Sequence, residues 1–106
     1  AKFWLLRSED ERSEYIVEEY YWVSAAEYAD SVGADIIHSS LGYNNFDDNI
    51  NSHTYQDMNG DIAPASIAAD ISARKGILVV EDHASEPSLA SLFSILARIG
   101  WPVATI

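Results

Sequence analysis

The chain of 106 residues contains no cysteine. Disulfides, a thiol nucleophile and thiolate metal sites are therefore excluded, while the compartment stays open. Basic residues are scarce, six Lys and Arg against 17 Asp and Glu, which leaves a formal net charge of −11. That balance repels nucleic-acid phosphates and anionic membranes, so neither is expected as a partner. No apolar run approaches the roughly 18 residues that cross a bilayer. The start carries no signal-peptide pattern and begins in a strand-like segment, as an excised domain would. Proline and glycine are few, three and five, and those present mark element boundaries.

What is there reads as one globular domain over residues 1–106. Hydrophobic residues make up 48% and charged residues 22%, an ordinary globular balance. Ala1–Arg7 (AKFWLLR) is a short apolar run that predicts a buried strand. Ser8–Glu19 follows, an acidic block with Arg7 and Arg12 as its only local relief, which predicts a solvated loop. Over Tyr20–Val32, Trp22, Ala25, Ala26, Ala29 and Val32 fall at helical spacing, and Gly33 suits the helix end. Asp35–Ser40 (DIIHSS) is the next strand. Leu41–Ile62, rich in Asn, Asp and Gly, predicts an unusually long loop. Pro64 belongs in the first turn of a second helix running to about Lys75, with Gly76 closing it. Ile77–Val80 is a four-residue aliphatic strand, expected to be central and buried on both faces. Ser85 and Pro87 then mark the start of a third helix, with Leu89, Leu92, Phe93, Leu96 and Ile99 on its apolar face and Gly100 at its end. Trp101–Ile106 is the last strand. The alternation β-α-β-α-β-α-β predicts an α/β fold: a four-stranded parallel sheet with three helices.

Two stretches carry family resemblances. WVSAAEYADSVGADIIHSSLGY (Trp22–Tyr43), HTYQDMNG (His53–Gly60) and ASIAADISARKGILVV (Ala65–Val80) make residues 1–80 resemble the central part of a subtilisin-like serine protease domain. The resemblance implies that Ser39–Gly42 borders a peptide-binding cleft. It also implies that the catalytic Asp and His elements precede residue 1 and the catalytic Ser element follows residue 106. The family's oxyanion donor is an Asn in an Ala-Gly-Asn segment; here Ser85 stands near that place, without an amide. No triad residue maps onto the chain. The three histidines, His38, His53 and His83, stand among many serines, but no GxSxG elbow accompanies them.

Residues 77–106 resemble the first βαβ of a response-regulator receiver domain, on ILVVED (Ile77–Asp82) and PSLASLFSILARIGWPVATI (Pro87–Ile106). That resemblance implies a divalent-metal site at the acid pair Glu81 and Asp82, since carboxylates at the end of a parallel strand offer hard oxygen ligands to Mg²⁺. The family's phosphoacceptor Asp and its Ser/Thr and Lys partners have no counterpart here. Glu81 and Asp82 also read more simply as a solvated acid pair before a helix N-terminus. Asp57–Asp61 (DMNGD) superficially has the acids of a calcium loop. Its glycine is misplaced and Ala68 stands at the twelfth position, so a turn is expected.

The two resemblances overlap at the strand beginning at Ile77. The expectation is an engineered or recombined chimera, subtilase-like over 1–76 and receiver-like over 77–106, with no native catalytic function and no cofactor beyond weakly held Mg²⁺. The alternative is an inactive fragment of a subtilisin-like protease. Strand order 1-2-3-4 is expected, with a flavodoxin-like 2-1-3-4 as the alternative. In the first order every crossover steps the same way, which would put all helices on one face. The bare face or an edge strand would then favour a homo-oligomer.

Overall fold

A computed structural model of the chain describes residues 2–81 and 102–106. The described elements are β1 (Phe3–Leu5), α1 (Ile16–Ser31), β2 (Ile36–Ser39), α2 (Pro64–Arg74), β3 (Leu78–Glu81) and β4 (Val103–Thr105). All strand pairs are parallel, so the α/β parallel sheet expected from the alternation of elements is present. The third helix, expected from Ser85 to Gly100, lies outside the described residues.

Each element follows from its local chemistry. α1 starts one turn earlier than the apolar spacing alone suggests, because Glu18 and Glu19 enter its first turn, where the positive end of the helix dipole favours acids. Gly33 follows it at φ 76°, a left-handed conformation that costs other residues strain. Pro64 opens α2 and Gly76, at φ 93°, follows its end. The loop between β2 and α2 is long, as expected, but holds two short 3₁₀ turns at Asn49–Asn51 and Tyr55–Asp57. At the second, the Asp57 carboxylate accepts hydrogen bonds from the Thr54 backbone N–H (2.7 Å) and hydroxyl (2.8 Å). Asn59 accepts from Asp61 N–H at 2.8 Å, so the DMNGD stretch is turn structure.

The strand order is β1-β4-β2-β3, which corrects both expected orders. β4 does not add beyond β3 but inserts between β1 and β2, pairing Phe3 with Val103 and Val103 with Ile36. The crossovers therefore do not all step the same way, and the inference of a bare sheet face loses its premise. Burial agrees. Ile36 and Ile37 point to opposite faces, and both are 0% exposed, as are Val103 and Ala104. On one face Ile37 and Ala104 join Trp22, Ala26 and Ala29 of α1 in the core, with Trp4 and Val79 packed against them.

Two strand expectations are also corrected. β1 is an edge strand, not a buried one: Phe3 is 62% and Leu5 86% exposed. β3 forms the other edge and Leu78 is exposed. A short apolar run fits an edge as well as a centre, because only the neighbouring strands decide which it becomes. α1 and α2 pack on each other, and the Lys75 ammonium at the end of α2 meets the Asp30 carboxylate near the end of α1.

Candidate functional site: the cleft at the carboxyl edge of the sheet

In open parallel sheets the crevice beyond the strand carboxyl ends is the usual place for a ligand. Here that edge holds a cleft of about 530 Å³, within the range of small-ligand sites. Leu41–Asn45, the segment leaving β2, forms one wall. Glu19 and Trp22 of α1 and Ala65, Ser66 and Ala69 of α2 form another. His53, Tyr55 and Met58 come from the long loop, and Glu81 from the end of β3.

The deepest polar group is Glu19, which is 0% exposed. One carboxylate oxygen accepts from the backbone N–H of Ala65 at 3.0 Å, and the other lies 2.8 Å from His53 Nε2. The bond to Ala65 has a clear cause. Ala63 occupies the N-cap of α2 and has no side chain with which to cap it. Glu19 supplies the acceptor from another helix, so one buried carboxylate fastens α1, the loop and α2 together. His53 is further held by its edge-on contact with Phe46, with ring centroids 5.7 Å apart, and by its backbone N–H, which donates to Asn44 at 2.8 Å.

Ser39 ends β2 beneath the cleft. It is fully buried, and its Oγ accepts from the Trp22 indole N–H at 2.9 Å. Among the described residues no serine or threonine hydroxyl lies within hydrogen-bond distance of the His53 ring. A nucleophilic dyad needs that contact. His53 and Ser39 each serve a different structural bond. Tyr43 stacks on Phe46 with centroids 6.5 Å apart, and its hydroxyl donates to Glu9. Desolvation, followed by the bond to Glu9, raises the Tyr43 pKa well above the usual phenol value, so Tyr43 is a donor and not a base.

Of the acid pair expected to hold Mg²⁺, Glu81 lies at the mouth of the cleft, while Asp82 lies outside the described residues. Desolvation pushes the Glu81 pKa up to about 7. The residue keeps an exposed side, and contact with solvent there limits the rise. His38 sits on β2 one residue before Ser39, and its carbonyl accepts from Ile106 N–H at 2.8 Å. A pairing of His38 with Asp82, and everything about His83 and Ser85, falls outside the described residues. Of the segment Ser39–Gly42, Leu41 and Gly42 line the cleft.

Sequence reasoning missed Glu19 and Glu18. Both belong to the block expected to be solvated, yet they are 0% and 3% exposed. The signal was present: the stripe Trp22, Ala26, Ala29, continued one turn back, lands on residues 18 and 19. No helix among the described residues is long and apolar enough to cross a membrane. No family model matches the chain, and no curated protein or solved structure matches it.

Proposed function

We propose that the chain is a recombined α/β domain without hydrolytic activity, in which a subtilase-like segment (1–76) and a receiver-like segment (77–106) share one sheet. The observation that carries this reading is the separate commitment of the two groups a hydrolase would need together: His53 to Glu19, and Ser39 to the Trp22 indole. A receiver-like strand lies between two subtilase-like strands, β1 and β2, so the second segment completes the sheet instead of trailing from it. The test is turnover of fluorogenic peptides and activated esters by the full chain. The expected rate equals that of the His53→Ala and Ser39→Ala variants. Turnover lost in both variants would sink the proposal.

A second reading keeps the cleft as a binding site for an extended peptide along Ser39–Gly42. It is favoured by the open, partly apolar wall at Leu41–Tyr43. Association of two copies through an edge strand is also proposed, since Phe3 and Leu5 expose apolar surface on β1. Light scattering that shows a monomer at high concentration would remove it.

A further inference from the structure

The acidic segment between β1 and α1 folds inward and gathers charge. Glu9, Glu14 and Glu18 each place a carboxylate oxygen within 4.8 Å of the other two. Glu18 is 3% exposed; one of its oxygens accepts from Asp10 N–H at 2.8 Å, while the other, Oε2, is buried and has no hydrogen-bond partner. Asp47 adds a fourth acid nearby, its carboxylate accepting from Glu14 N–H at 3.1 Å.

Among the described residues no basic side chain pairs with these carboxylates. Arg12 turns to Asp10 at 2.5 Å, and Arg7 Nε donates to the Glu9 carbonyl. Among the described residues no ion pair joins Glu9, Glu14 or Glu18 to a cation. A buried carboxylate oxygen without a donor, set among like charges, is strongly unfavourable unless a proton or a cation meets it. Three hard oxygens at this spacing suit a cation.

We propose that Glu9, Glu14 and Glu18 form a binding site for a hard divalent cation, with Ca²⁺ the preferred ion. Ca²⁺ accepts six to eight oxygens in flexible geometry, whereas Mg²⁺ demands near-ideal octahedral geometry, sheds its water reluctantly and is seldom held by an all-protein cage. The buried, unpartnered Glu18 oxygen is the anchor, and Glu9 and Glu14 close over it from the loop. Because Glu9 also accepts from Tyr43, which lines the cleft, the ion fastens one wall of the cleft to the start of α1.

The test uses the full chain stripped of metal. Calorimetric titration with Ca²⁺ should give one ion per chain. Tb³⁺ emission excited through the neighbouring tyrosines should appear on binding and be displaced by Ca²⁺. The melting temperature should rise with Ca²⁺. Glu14→Gln, at a half-exposed position that tolerates change, should keep the native circular dichroism and weaken binding by about tenfold or more. Glu18→Gln should abolish binding where it folds. Glu81→Gln should leave binding unchanged, which separates this site from the strand-end acids. No saturable binding up to about 5 mM Ca²⁺, well above the range of weak calcium modules, would overturn the proposal. So would equal binding by the Glu14→Gln chain, which would mean that the ion sits elsewhere and not on this cluster.

Discussion

At the scale of single residues, Glu19 decides most about the cleft. It satisfies the first turn of α2 through Ala65 and orients His53, all from a position with no solvent exposure. Removing it leaves a partly buried histidine and a helix N–H unpaired at once. Glu19→Ala should therefore destabilise the fold by about 2–4 kcal/mol, read as a lower urea midpoint at unchanged slope. A change below about 0.5 kcal/mol, the level of an ordinary surface substitution, would mean that the residue is not the joint described here. This is also where sequence reading fell short for a physical reason. A run of acids has a strong prior for solvent, and that prior overrides periodicity unless the helix register is carried back through it. Trp22, Ala26 and Ala29 were legible as core from their spacing. Glu18 and Glu19 lay on the same stripe but had the wrong chemistry for an apolar core. The Trp22–Ser39 bond joins residues 17 apart and had no local signal.

At the scale of elements, the boundaries were legible and the neighbours were not. Pro64, Gly33 and Gly76 marked helix ends correctly because each acts through its own backbone. Three of the strands lie within the runs that predicted them, and β3 extends one residue past Val80 to Glu81. Their burial was misjudged, since β1 and β3 turned out to be edges, and edge or centre is a property of pairing and not of composition. The edge position of β3 bears on Glu81 at its end. Desolvation raises the folded-state pKa of Glu81 above the ordinary value of 4.5, to about 7. The unfolded chain then loses this proton first as pH rises. Glu81 consequently costs stability progressively between about pH 4.5 and 7, and the full cost is present above that window. Screening on its exposed side reduces the effect to roughly 1 kcal/mol. The Asp10 and Asp57 carboxyls are shifted the other way by bonds to Arg12 and Thr54 respectively, so a difference measurement is needed. The stability of Glu81→Gln minus that of the parent chain should grow as pH rises through this window. A flat difference would show that the carboxylate is solvated.

At the scale of the whole molecule, β4 holds the sheet together. Residues 103–105 pair with both β1 and β2, while among the described residues β1 has no other partner and β2 has only β3 besides. A chain truncated after residue 81 should lose its cooperative unfolding transition, because β1 is left unpaired and Ile36 and Ile37 lose their neighbour. A sharp transition retained by that fragment would mean that residues 1–81 fold alone. The parallel α/β class was legible from the alternation of elements, since parallel strands need long crossovers. The strand order was not. It depends on where a strand separated from its partners by the length of the chain comes to rest, and local pattern carries no record of that.

The central claim is that Ser39 and His53 serve the structure and not a reaction. The most direct measurement is exposure of the folded chain to a fluorophosphonate, which modifies only activated serines, with the adduct mapped by mass spectrometry. The arrangement predicts no adduct at Ser39, whose hydroxyl is buried and accepts the Trp22 indole N–H. An adduct at Ser39 that disappears in the His53→Gln variant would contradict it.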